Sequence, residues 1–153
     1  MSSQHSHHAV VTGLAAAGAV PFGAFVVLAL TGTATAFALH GLLIYSLAIL
    51  CFLAGSWWGL ALLMTEVTSR QRGWILVLSN GVVVLAVTAT LLLPPRFAVF
   101  ALGAMYLLLL SGEASIVGLQ RQPDYYRNMR LRVSMFAVGA HVLVGLANVS
   151  VPA

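Results

Sequence analysis

A chain of 153 residues that is 61% hydrophobic and 7% charged excludes an ordinary soluble domain, in which about 25% of residues are charged. The formal net charge of +4 comes from seven arginines and no lysine against three acids. These arginines lie between apolar runs, where they read as topology signals rather than a nucleic-acid surface. Cys51 is the lone cysteine, which excludes an intrachain disulfide or a paired-cysteine metal site; it reads as a small buried apolar residue.

In chain order, residues 1–8 hold His5, His7 and His8 with no carboxylate or cysteine beside them, and we expect a disordered polar tail rather than a metal site. The tail also lacks the charged n-region of a secretory signal, so the first apolar run reads as a retained transmembrane helix. That span covers about Ala9 to Leu30, carries Pro21 after Gly18, and stops at Thr31-Gly32-Thr33. Proline inside a helix removes one backbone hydrogen bond and leaves a carbonyl for a neighbour to satisfy. The second span runs from about Ala36 to Thr65, longer than one crossing needs. Glu66 to Arg72 forms a polar loop, and the third span covers about Gly73 to Leu93 before Pro94-Pro95 ends it. A fourth span covers about Phe97 to Leu119, a loop Gln120 to Arg130, and a fifth span about Leu131 to Val151.

The runs are too long and too uniformly apolar for barrel strands, which alternate over about 10 residues. The expected architecture is all-α: one transmembrane domain, residues 9–153, built as a bundle of five helices. Arg70, Arg72, Arg121, Arg127, Arg130 and Arg132 fall in the second and fourth loops, and only Arg96 on the other side. The positive-inside rule then places the N-terminus and this basic surface in the cytoplasm, or the matrix of an organelle, with the C-terminus outside.

Glu113 is the single acid inside an apolar run, where a carboxylate costs about 2.5–3.5 kcal/mol even on lenient scales and so needs a partner or a task. It lies eight residues before Arg121; His141 lies nine after Arg132, Asn80 eight after Arg72, and Trp57 and Trp58 nine and eight before Glu66. At 1.5 Å per residue these counts give a shared polar layer about 12–14 Å deep. Within it Glu113 and His141 form the pair of interest, because the fourth and fifth spans are joined by a short loop and should pack antiparallel. Such a pair either passes a proton or fixes helix register through a hydrogen bond. Asn80 reads as a helix–helix hydrogen-bonding residue. Gly55 and Gly59 flank the tryptophans at G-x-x-x-G spacing, which suits close helix packing; an aromatic wall for an apolar ligand is the sharper alternative. No phosphate loop, zinc-binding H-E-x-x-H or nucleophile elbow occurs.

Three blocks, Gly18-Ala19-Val20-Pro21-Phe22, Phe52-Leu53-Ala54-Gly55-Ser56-Trp57-Trp58-Gly59 and Pro123-Asp124-Tyr125-Tyr126-Arg127-Asn128-Met129-Arg130-Leu131-Arg132, resemble the domain of unknown function 3429 family. Small membrane proteins of the mitochondrial transmembrane protein 69 group belong to it. Trp57 stands where the family pattern usually has histidine, and Glu113 matches an acidic position ten residues before the loop proline. In relatives that acid is followed by basic residues, which implies a shallower position than the depth count. The resemblance implies a bacterial inner-membrane or mitochondrial inner-membrane setting and carries no activity with it.

The resulting expectation is a non-enzymatic inner-membrane protein that binds or stabilises a membrane-protein partner or a second copy of itself, with no metal and no nucleic acid. The alternatives are a small proton-coupled transporter using Glu113 and His141, and a binder of an apolar isoprenoid or quinone-type cofactor at Trp57 and Trp58.

Overall fold

The computed structural model describes residues 2–63, 65, 68–115 and 123–149, with side chains described between residues 10 and 148 of these ranges. Five helices account for most of them: α1 (Ser2–Leu30), α2 (Thr35–Leu63), α3 (Ser69–Leu92), α4 (Pro95–Ser115) and α5 (Asp124–Val149). There is no strand among the described residues. All five helices are long and apolar enough to cross a bilayer, and the chain is a multi-pass helical membrane protein.

Local chemistry sets the helix ends. Gly32 closes α1 in the left-handed region at φ 69°, which glycine enters without the clash a Cβ brings. Thr68 and Gln71 form a reciprocal capping box at the start of α3, satisfying amide hydrogens that the first turn leaves without partners. Leu93 is extended at the other end, as a residue before proline must be. Pro95 then opens α4 at a position where its missing N–H costs nothing.

Several boundaries differ from the sequence expectation, among them the start of α3, which is Ser69 rather than Gly73, so that Ser69 to Arg72 of the expected polar loop are helical. Residues 2–8, expected as a disordered tail, have helical backbone and continue α1. The helix of α2 stops at Leu63 rather than Thr65. Most consequentially, α5 begins at Asp124, about two turns before Leu131, so much of the expected loop is helix. The carbonyl of Pro123 accepts from the amides of Tyr126 and Arg127, and Asp124 supplies a negative charge to the first turn. The expected continuation of the fourth span to Leu119 lies outside the described residues.

Buried positions recur at three- and four-residue steps: Leu39, Leu43, Ser46, Leu50, Leu53 and Trp57 on α2; Ile75, Ser79, Val82 and Ala86 on α3; Leu102, Tyr106 and Leu109 on α4; Arg130, Ser134, Ala137, His141 and Val144 on α5. Such stripes are the seams of bundle packing, in which ridges of one helix fill grooves of the next. Helix α2 packs against all four others, and the other main contacts join α1 to α5, α5 to α4 and α4 to α3. Glu113, Gly103 and Phe100 of α4 meet Arg130, His141 and Gly145 of α5 in reverse order, so α4 and α5 are antiparallel neighbours as expected. Ser46 and Trp57 of α2 meet Tyr106 and Glu113 of α4 in the same order, so these two helices run parallel. The α2–α3 and α4–α5 connections therefore share one end of the bundle.

Large outward-facing apolar side chains such as Leu14, Val27, Ile44, Val84 and Leu91 suit a hydrocarbon surrounding, where exposure carries no hydrophobic penalty. Pro21 sits inside α1. It leaves the Ala17 carbonyl without its helical donor, and one residue on, Tyr45 of α2 donates to the carbonyl of Gly18 at 2.8 Å.

Candidate functional site

Two polar clusters occupy the seams, and they separate residues that the depth count had placed in one layer. The first gathers at the end of the bundle shared by the α2–α3 and α4–α5 connections. Glu113 continues the α4 stripe one step past Leu109, and Arg130 opens the α5 stripe. Their side chains form an ion pair between Arg130 Nη2 and Glu113 Oε1, only 3% and 12% exposed. Trp57 of α2 donates its indole N–H to the same carboxylate oxygen at 2.9 Å. The other guanidinium nitrogen, Nη1, donates to Ser56 Oγ at 2.6 Å and to the Tyr126 hydroxyl at 3.4 Å. Nη2 also reaches the carbonyl of Leu53 at 3.4 Å, while Ser56 donates its own proton to that carbonyl at 2.7 Å. Arg130 Nε is buried without an acceptor among the described residues. One acid and one base, with an indole and a serine, thus tie α2, α4 and α5 together. Gly112 makes this possible, because a Cβ there would run into the Trp57 ring.

The second cluster is neutral in composition and lies deeper. Ser46 of α2 is eleven positions before Trp57, and His141 of α5 eleven after Arg130, a separation of about 16 Å along each helix. His141 Nδ1 is 2.6 Å from the Ala137 carbonyl and its Nε2 is 2.8 Å from Ser46 Oγ. A carbonyl only accepts, so Nδ1 carries a proton and donates, which leaves Nε2 to accept from the serine hydroxyl. Tyr106 of α4 donates to the Ser46 carbonyl at 2.9 Å. Phe22 packs against the rings of Tyr45, Tyr106 and His141, and His141 is fully buried. Both imidazole nitrogens are satisfied without water or charge, as a buried polar group requires.

The structure therefore does not bring Glu113 and His141 together. The count took Arg132 as the surface marker of the fifth span, but α5 starts about two turns earlier, at Asp124, and Arg130 already points inward. Of the two tryptophans, Trp57 meets Glu113 and Trp58 faces outward, as adjacent helical positions about 100° apart must. Asn80 also faces outward and donates to its own helix at Leu76, its neighbour Ser79 taking the inward place. Gly55 and Gly59 pack against nothing among the described residues. The close approaches use Gly41 under Phe25, Gly112 under Trp57 and Gly145 under Phe100 instead. Of the expected basic surface, Arg70, Arg127 and Arg132 are exposed, Arg72 is half-buried, Arg130 is interior and Arg121 lies outside the described residues. Arg127 pairs with Asp124 at 2.8 Å. No group of three metal-ligating side chains occurs among the described residues.

A family model with the description "Protein of unknown function (DUF3429)" matches residues 7–146. The chain belongs to the DUF3429 family. No curated protein and no solved structure matches it. In this DUF3429 protein the sequence blocks that carry the resemblance converge on the two clusters. Leu53, Ser56 and Trp57 of the second block meet Tyr126 and Arg130 of the third around Glu113. Gly18 and Phe22 of the first block pack beside the His141 cluster.

A shallow groove of about 250 Å³ opens beside the first cluster, between α3 and α4. Leu78 and Val82 of α3 and Leu108, Ser111 and Ser115 of α4 form its walls, and the Trp57 indole its floor. Both serine hydroxyls donate to carbonyls of their own helix, so the lining offers a ligand little beyond hydrocarbon.

Proposed function

We propose that this DUF3429 protein is a non-enzymatic component of a bacterial or mitochondrial inner membrane that binds and stabilises a helical membrane partner or a second copy of itself. The observation that carries this reading is the outward face of α2 at Gly55 and Gly59, where none of the described residues lies within 4 Å of an added Cβ. Small residues four apart let two helix backbones approach closely in a membrane, and here that face is free for another chain. The asymmetric arginines support a cytoplasmic or matrix location for the end bearing Arg70, Arg72 and Arg132. Cross-linking in the membrane followed by affinity capture tests the reading. We expect a reproducible helical partner or dimer that Gly55→Leu and Gly59→Leu abolish while the fold persists. Recovery of monomer alone from the wild type would contradict it.

A proton-coupled carrier using Glu113 and His141 has less support. The carboxylate is held by Arg130 and Trp57, and the imidazole is satisfied by Ser46 and Ala137. Proton flux in proteoliposomes that falls on Glu113→Gln would favour that carrier.

A further inference from the structure

The α3–α4 groove has a feature beyond the partner-binding reading. Its walls are apolar, its volume is about 250 Å³, and pockets for whole drug-sized molecules span about 300–1,000 Å³. The space suits one hydrocarbon chain better than a ring-bearing head. The groove runs along α4 to Ser115, the last residue of that helix, and so reaches the end of the bundle where α3 begins. Arg70 and Arg72 stand in the first turn of α3, eight and six residues before Leu78 on the groove wall. Trp74 lies between them and the groove and faces outward, and Tyr125 does so at the start of α5. Such aromatic side chains settle at headgroup level, which puts the arginines among headgroups and the groove directly beneath.

Charge selects the headgroup. With Arg130 and Glu113 neutralising one another, the described residues at this end hold Arg70, Arg72, Arg127 and Arg132 against Asp124, four minus one, a formal excess of three positive charges. Basic residues beside a gap between membrane helices attract anionic lipid heads, and the guanidinium fork is matched to phosphate oxygens. We propose that the α3–α4 groove is a binding site for an anionic phospholipid, one acyl chain lying on Trp57 between Leu78 and Leu108 and the phosphate held at the exposed Arg70.

The test reconstitutes the full chain in vesicles of equal phosphatidylglycerol and phosphatidylcholine, extracts it in mild detergent, and counts retained lipids by native mass spectrometry. We expect one phosphatidylglycerol retained about tenfold in preference to phosphatidylcholine. The variant Arg70→Gln should bring the ratio near parity. Ser111→Phe or Leu108→Trp, whichever keeps wild-type helicity, should remove the retained lipid of either kind, and Ile44→Phe on a remote outward face should not. Equal retention of the two lipids by the wild type overturns the proposal. So does a groove-filled, folded variant that keeps its lipid, or a stoichiometric isoprenoid in place of phospholipid in protein from native membranes.

Discussion

The two polar clusters solve the same problem in opposite ways. Near the end of the bundle, Glu113 and Arg130 bring two full charges into the seam and need each other, with Trp57 and Ser56 completing the shell. About 16 Å deeper, Ser46, Tyr106 and His141 satisfy one another with hydroxyls, an imidazole and two carbonyls, and no charge. The difference teaches where this fold is fragile. Arginine stays charged at any accessible pH, so the outer cluster stands or falls with its counter-ion. The inner one can lose a member and let its neighbours rearrange.

Breaking the outer cluster should give the largest effect. Glu113→Leu leaves Arg130 buried without its acid, and we expect a loss of about 3–5 kcal/mol in unfolding from mixed micelles, most of it restored by adding Arg130→Met. Gly112→Ala attacks the same place sterically, by driving a methyl into the Trp57 ring. It should cost about 1–3 kcal/mol, with a blue-shifted or quenched indole emission as its local signature. His141→Leu in the inner cluster should cost only about 1–2 kcal/mol, since hydrogen bonds between membrane helices are individually modest and Ser46 Oγ retains Tyr106 at 3.4 Å. Asn80→Leu, on the outward face, should change stability by about 0.5 kcal/mol or less; a larger loss would mean that α3 turns Asn80 toward another chain.

The five helices were legible because hydrophobic run length is itself the physical requirement for crossing a bilayer. Their ends were less so at α5, where the arginine-rich stretch from Arg127 to Arg132 masks a helix start that Pro123 and Asp124 signal. Glu113 was recognisable as costly, and Trp57 as its neighbour in depth. Its true partner was hidden because counting arginines toward the membrane side treats all of them as surface residues. A stripe count would have found it: Arg130 falls in phase with Ser134, Ala137, His141 and Val144, whereas Arg132 does not. The same phase picks Ser46 and Tyr106 on their helices and Ser79 over Asn80. Which stripes face which is decided by packing among all five helices, and one helix's periodicity does not contain that information. For the same reason the G-x-x-x-G spacing of Gly55 and Gly59 did not say that the two glycines face outward.

The pairing of Glu113 with Arg130 rather than His141 is the central claim, and a pair of double-mutant cycles on unfolding free energy tests it most directly. With Glu113→Gln, Arg130→Gln and His141→Gln as the single changes, we expect a coupling of about 2–3 kcal/mol between positions 113 and 130, and agreement with additivity within about 0.5 kcal/mol between 113 and 141. Strong coupling of Glu113 to His141, with none to Arg130, would contradict the account.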